Sequence, residues 1–340
     1  MVIPVHPPAR TLLPLLVCAL LLAAAGPLFG QAGGEEGAAL PPVADDPADQ
    51  PFVMNIEVSL VNLFVSVVDR RGRVVRGLGR EDFYLWEGGE RRAISHFTTD
   101  PDAPLSVAVM LDVSGSMGLM RKLTNSRLAV ERLVDGLHDP DEAALFTFAG
   151  TSAEPLIPFT DERERLVRAM EALKPYGKTA LYRAIGDVPG LMGEPRHRQA
   201  ILLLTDGIDN CSQQPLKAML DTLAGRRVPI YTICFTRNFF PGGRSSEEYT
   251  RIPVLKDIAT RSGGDYLEVS SPEGLAEGIK GILRELRHQY LLGFAPGNPG
   301  EAADRLDIRL LTSNDRHVVR VGRGFYAGRG NDEDDQRLSE

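Results

Sequence analysis

The stretch Leu105-Ser106-Val107-Ala108-Val109-Met110-Leu111-Asp112-Val113-Ser114-Gly115-Ser116-Met117 decides how the rest of the chain is read. An apolar run broken only by Ser106 has the length and composition of a strand buried on both faces. It leads into a carboxylate and two hydroxyls, each two residues apart, so that the three leave an extended backbone on the same side. Three oxygens converging at one strand end suit a hard cation. A helical stripe of Met120, Leu123, Val130, Leu133, Val134 and Leu137 follows.

Working outward, strand and helix patterns alternate from about Ala103 to His288. The expected strands are 105–113, 143–149, 200–205, 228–235 and 265–269, with continuously apolar centres such as Ile201-Leu202-Leu203-Leu204. A shorter run at 154–159 is expected to return antiparallel on 143–149. A further stripe, Leu275, Ile279, Ile282, Leu283 and Leu286, opens with Ser270-Ser271-Pro272-Glu273, a helix-start signal. The expected fold class is therefore α/β, a doubly wound and mostly parallel sheet with helices on both faces.

The flanks read differently. Residues 56–68 are apolar and β-branched, Asp69-Arg70-Arg71-Gly72 signals a turn, and Arg73-Val74-Val75 is expected to return as a partner strand. Runs at 83–87 and 92–97 flank Gly88-Gly89, a hairpin signal. So few strands make a thin core. Short β runs return at 289–294, 306–310 and 318–321, and these are expected to complete the sheet begun before Leu105. The expectation is a second, smaller all-β, sandwich-like domain built from both flanks. Its parts are 52–102 and 289–327, with the α/β domain at 103–288 between them.

Residues 1–31 carry one full charge, Arg10, before the apolar core TLLPLLVCALLLAAA at 11–25 and a small-residue exit. That order reads as a secretory signal peptide, and the core is shorter than the ~20 residues of a membrane span. The expected location is secreted or periplasmic, with an uncleaved anchor as the alternative and no membrane span in the mature chain. A spacer rich in Gly, Ala, Pro and Asp at 32–51 and an acidic tail at 328–340 complete the layout. Without the leader two cysteines remain, Cys211 and Cys234, an even count that permits one disulfide in an oxidising compartment. The 340 residues carry a formal charge of −8, with 43% apolar and 25% charged residues. An ordinary globular composition with an acidic balance argues against a nucleic-acid partner.

Ligands of open parallel sheets sit beyond the carboxyl ends of the strands. Asp206, in Leu204-Thr205-Asp206-Gly207, is expected at the same edge as Asp112, and Thr179, in Gly177-Lys178-Thr179-Ala180-Leu181, opens a helix there. Two carboxylates and three hydroxyls suit Mg2+, with Mn2+ or Ca2+ as alternatives, better than zinc. Asp112-Val113-Ser114-Gly115-Ser116, with Thr179 and Asp206, resembles the metal-ion-dependent adhesion site (MIDAS) of von Willebrand factor type A (VWA) domains. The whole layout resembles a bacterial secreted VWA-related family, through 62–69, Gly77-Leu78 before Glu81-Asp82-Phe83, and Gly322-Arg323-Gly324-Phe325-Tyr326. The resemblance implies metal-dependent binding of a protein ligand that presents an Asp or Glu, without turnover. A structural component of a cell-envelope assembly is the alternative, and a metal-dependent hydrolase a third reading.

Competing motifs fail on spacing. Ala172 stands where a phosphate-binding loop ending in Gly177-Lys178-Thr179 needs Gly, and Asp112 stands where a nucleophile elbow around Ser114 needs Gly. Asp206-Gly207-Ile208-Asp209-Asn210 lacks the oxygen spacing of an EF-hand loop. A loop after the strand at 228–235 carries Arg237, Phe239, Phe240 and Arg244, which suit an interface rim on the metal-bearing edge.

Overall fold

The computed structural model describes residues 60–193, 197–206, 209, 211–213, 215–219, 228–235, 246–298, 306–321 and 325–327. The expected leader, spacer and acidic tail lie outside the described residues, as do Arg237, Phe239, Phe240 and Arg244. Everything described belongs to one unit, Ile56–Glu340.

In chain order the first strands are β1 (Val61–Asp69), β2 (Phe83–Glu87), β3 (Glu90–Arg92), β4 (Ile94–Thr99), β5 (Leu105–Asp112), β6 (Glu142–Ala149) and β7 (Ser152–Thr160). They are followed by β8 (Arg198–Leu204), β9 (Ile230–Phe235), β10 (Tyr266–Val269), β11 (Tyr290–Phe294), β12 (Ile308–Thr312), β13 (His317–Arg320) and β14 (Phe325–Ala327). The helices are α1 (Lys122–Gly136), α2 (Arg163–Glu171), α3 (Leu181–Leu191), α4 (Ser246–Ser262) and α5 (Pro272–Arg287).

Six strands in the order β10-β9-β8-β5-β6-β7 form the central sheet, parallel throughout except for β7, which returns antiparallel on β6. All eight residues of β5 are buried, because both of its edges and both of its faces are covered. Alternation divides the faces. Leu105, Val107, Val109 and Leu111 pack with Leu133, Val134, Ile279 and Leu283 from α1 and α5, while Ala108 and Met110 pack with Ile185, Val188, Leu255 and Ile258 from α3 and α4. The expected start of α5 is present: Ser271 Oγ accepts from Gly274 N at 3.0 Å and Pro272 opens the first turn.

The flanks interleave as expected. β1 lies between β11, which it meets along Val61–Val65, and β13, which it meets along Ser66–Asp69, giving the sheet β13-β1-β11-β4. A second sheet, β14-β12-β2-β3, joins N- and C-terminal strands again through the antiparallel pair β2 and β12. Leu63, Val65, Val67, Phe83, Leu85, Tyr290, Leu292, Phe294, Ile308 and Leu310 from the two sheets share one core.

Two local expectations are corrected. Arg73-Val74-Val75 makes only a single bridge, Val68 to Val74, rather than a strand. The Asp69 carboxylate closes the turn by accepting from Arg71 N and Arg73 N at 2.8 and 2.9 Å, and no longer ladder forms. The expected strand 92–97 is broken at Ala93: β3 stays on β2 through the Gly88-Gly89 turn, whereas β4 pairs with β11. Both turn glycines have positive φ, at 55° and 84°, which a tight hairpin needs. The break lets Ile94 bury between the sheets while β3 remains at an edge.

Charged groups tie the flanking sheets to the α/β unit. Arg198 opens β8, donates to the Leu286 and Arg287 carbonyls at 2.6 and 3.2 Å, and lies under the Phe64 ring of β1. Its guanidinium thereby caps the C-terminus of α5. Arg320 of β13 reaches Glu285 of α5 and Asp265, each at 2.6 Å, and Tyr231 of β9 donates to Glu285 at 3.0 Å.

Candidate metal centre

Asp112 ends β5, which has parallel neighbours on both sides, and Thr205 and Asp206 directly follow the neighbouring β8. The topology therefore delivers both carboxylates to one sheet edge. Ser114 N donates to Asp112 Oδ1 at 2.9 Å, and the Ser114 and Ser116 hydroxyls stand 3.1 Å apart. Gly115 to Arg121 then form a 3-10 turn leading into α1. Thr179 arrives on a segment held from three sides. Tyr176 N donates to Val113 O at 2.7 Å, Gly115 N to Gly177 O at 3.1 Å, and Gly150 N to Lys178 O at 2.7 Å. Gly177 turns there with φ +70, a conformation that suits glycine. The helix expected to open at Thr179 begins two residues on, at Leu181, and its first amides are met from another loop: Tyr182 N donates to Asp209 Oδ2 at 2.8 Å.

The oxygens lie inside the protein. Asp112 is 0% exposed, Ser114 1% and Thr179 1%. Burial pushes the Asp112 acid up to about 6, and the Asp206 charge adds to the rise; hydrogen bonds from Ser114 and from Thr205, whose Oγ1 donates to Asp112 Oδ2 at 2.7 Å, pull it back. No Lys, Arg or His nitrogen is bonded to Asp112 among the described residues. Asp206, by contrast, meets the Lys122 ammonium at 2.6 Å, with side-chain exposures of 18% for the lysine and 7% for the aspartate. One carboxylate is thus buried without a cation and the other holds an internal one in a cation's place.

This donor set fits a hard divalent ion. Among the described residues no group of three His, Cys, Asp or Glu is placed to hold a metal, so an ion here would rely on hydroxyl oxygens beside the two carboxylates. Thr205 and Lys122 escaped the sequence reading. Thr205 could have been found as the neighbour of Asp206 at the strand end; Lys122, six residues beyond Ser116 on a following helix, carried no signal.

The disulfide that the cysteine count permitted is not formed: Cys211 and Cys234 are not joined. The Cys211 thiol points to the Gly150 carbonyl, at 2.7 Å, and its backbone N–H is bonded to Thr179 O. Cys234 belongs to β9, paired in register with Glu268 of β10. The loop thus turns the Cys211 sulfur toward the β6–β7 turn.

Residues 107–208 match the family model of the von Willebrand factor type A domain, a span holding Asp112, Ser114, Ser116, Thr179 and Asp206. Within the α/β unit, this span of the chain is therefore VWA-like. No curated protein sequence matches the chain. Among solved structures, the chain is similar to an aerotolerance-related membrane protein from Bacteroides fragilis NCTC 9343 with multiple mutations to serines, at 21% identity over 54% of this chain and 98% of that one, TM-score 0.43. It is similar to a von Willebrand factor type A structure from Catenulispora acidiphila at 16% identity, over 74% and 71% of the two chains, TM-score 0.45. Proximal thread matrix protein 1 from the mussel byssus, with a zinc-occupied MIDAS motif, matches at 18% identity over 55% of this chain and 48% of that one, TM-score 0.41. The chain thus spans about half of that mussel protein. No helix among the described residues is long and apolar enough to cross a membrane.

Proposed function

We propose that this chain is a secreted or periplasmic, non-catalytic binding module. Its VWA domain holds Mg2+ through Asp112, Ser114, Ser116, Thr179 and Asp206, and the ion takes an Asp or Glu of a protein partner. The observation that carries the reading is the Asp112 carboxylate, 0% exposed and without a bonded cation among the described residues. A buried ionised group needs a counter-charge, and a divalent cation supplies it. The bound ion would also offer an electrophilic position to an incoming carboxylate. The chain's own groups prepare the place: Ser114 N and the Thr205 hydroxyl orient Asp112, and the segment ending at Thr179 is fastened to Val113 and Gly115 by backbone bonds. On this reading the layout is a VWA domain at 103–288 set into a split β domain, 52–102 and 289–327, behind a cleaved leader at 1–31.

Titration calorimetry with MgCl2 and MnCl2 on the mature protein is expected to show one ion per chain, lost in Asp112→Ala. A pull-down from envelope extract is expected to recover a partner that EDTA releases. Equal ion uptake by Asp112→Ala and the parent would overturn the site, and chelator-insensitive recovery would overturn the role of the ion in binding.

A further inference from the structure

The segment between α2 and Thr179, Leu173-Lys174-Pro175-Tyr176-Gly177-Lys178, has a pinned backbone, two packed side chains in Leu173 and Pro175, and three exposed ones in Lys174, Tyr176 and Lys178. Beyond the three bonds to Val113, Gly115 and Gly150, Arg127 Nη2 donates to Leu173 O at 3.2 Å. Pro175 packs so closely on the 3-10 turn that a Cβ added at Gly118 would stand 3.2 Å from its Cγ. Two of these anchors, Val113 and Gly115, are chain neighbours of Asp112 and Ser114, so the segment borders the candidate site. Yet Lys174, Tyr176 and Lys178 are all exposed, and Tyr176, at 59%, is the most exposed large hydrophobic among the described residues. Neither lysine makes an ion pair among the described residues.

A solvent-facing aromatic on a rigid backbone costs little to order on binding, and tyrosine is a residue type that dominates interface energetics. Two unpaired lysines beside it, in a chain of net charge −8, make a local basic rim around a cation site. Resting on the metal-dependent reading above, we propose that Lys174, Tyr176 and Lys178 form the specificity rim of the site. The rim selects a protein partner whose metal-bound Asp or Glu lies within an acidic stretch, with further carboxylates one to three residues away meeting the two ammonium groups. Tyr176 covers the bound backbone between them. Rim charges act mainly on association rate and salt dependence, so the preference should weaken as salt rises.

The test uses the full mature chain, MnCl2 and two fluorescein-labelled nonapeptides, each with a central Asp. One has Glu at the two positions on either side of it, the other has Ser. The acidic peptide is expected to bind about tenfold tighter than the serine peptide, an advantage that fades at high salt. Lys174→Glu with Lys178→Glu is expected to erase that advantage while the chain still takes up one Mn2+, lost only when Asp112 is also replaced by Ala, and Tyr176→Ala to weaken both peptides. Equal affinities, a preference that survives the double reversal, or binding of neither peptide would overturn the proposal. Sedimentation in Mn2+ and in EDTA adds one arm. Chelator-sensitive dimers would mean that the chain's own Asp332-Glu333-Asp334-Asp335 fills the rim, overturning the assignment to a separate partner. Failure of the metal reading itself would appear separately, as Mn2+ uptake unaffected by Asp112→Ala.

Discussion

Asp112 and Asp141 are both buried carboxylates of the same parallel sheet, at opposite ends of it. Asp141, just before β6, accepts from Leu105 N at 3.0 Å and His138 N at 2.8 Å and is paired with the Arg287 guanidinium. Despite the opposing effect of burial, these partners hold its acid below the usual carboxylate range. Asp112, at the other end, accepts from Ser114 N and the Thr205 hydroxyl, has a like charge nearby and no bonded cation among the described residues, and its acid rises to about 6. Glu285 is the middle case: burial raises it too, but Arg320 and the Tyr231 hydroxyl meet it directly. What singles out Asp112 is therefore the missing cation rather than the raised acid. A carboxylate that serves the fold is built with its own counter-charge, whereas on the proposed reading Asp112 takes one from a bound ion.

That contrast breaks most sharply in stability. Asp141→Asn strips a buried guanidinium of its partner and is expected to cost about 3–5 kcal/mol in urea unfolding. Asp112→Asn in EDTA at pH 7 is expected to go the other way. A carboxylate whose folded acid is raised from 3.8 to about 6 is a liability of about 3 kcal/mol once ionised, and Asn removes it. Loss of stability of similar size in both variants would show that Asp112 is a structural carboxylate like Asp141.

The pH dependence gives the same contrast in a narrower window. Because the folded acid of Asp112 lies above its unfolded value, its contribution is fully present below about pH 4 and disappears as pH rises through about 6. Asp141 has the opposite sign: its contribution is present above the ordinary carboxylate range and is lost only as pH falls through its lowered folded value. In EDTA the parent is expected to lose up to about 3 kcal/mol between pH 4 and 6.5 relative to Asp112→Asn. Saturating MgCl2, which binds the ionised form, is expected to restore it, since an ion at about 100 times its Kd adds about 2.7 kcal/mol. A parent and variant with parallel pH profiles would contradict this assignment.

The parts of the molecule that could be read from the chain are those carried by side-chain pattern. Continuous apolar runs located β5, β6, β8 and β9 to within a few residues, and the β runs after α5 were right to expect partners before Leu105. The strand-end rule put Asp206 beside Asp112. What stayed hidden was carried by groups common to every residue or by directions in space. The bonds from Tyr176, Gly115 and Gly150 that hold the segment before Thr179 use backbone N–H and C=O, which leave no mark in composition. The even cysteine count said nothing about where the Cys211 thiol points, and β3 and β4 separate at Ala93 because of a burial demand set by the other sheet. The loop carrying Arg237, Phe239, Phe240 and Arg244 lies outside the described residues, while the exposed side chains of Lys174, Tyr176 and Lys178 stand on a segment whose backbone bonds to Val113, Gly115 and Gly150 left no mark in the sequence.

Lys122 supplies the finest probe of the comparison, because it makes Asp206 resemble Asp141 while Asp112 remains without a cation. Its ammonium, 2.6 Å from Asp206 Oδ2 and only 18% exposed, sits where a divalent ion would draw on the same oxygen. Ion uptake must then displace the ammonium or share the carboxylate with it, and either lowers affinity. Lys122→Met keeps the length and apolar stem of the side chain and removes the competing charge. Calorimetry with MnCl2 is expected to show about a tenfold gain in affinity, which corresponds to about 1.4 kcal/mol. In EDTA the same variant is expected to be less stable than the parent, since the largely buried 2.6 Å ion pair with Asp206 is lost. A variant that binds Mn2+ more weakly would mean that Lys122 positions Asp206 for the ion instead of competing with it.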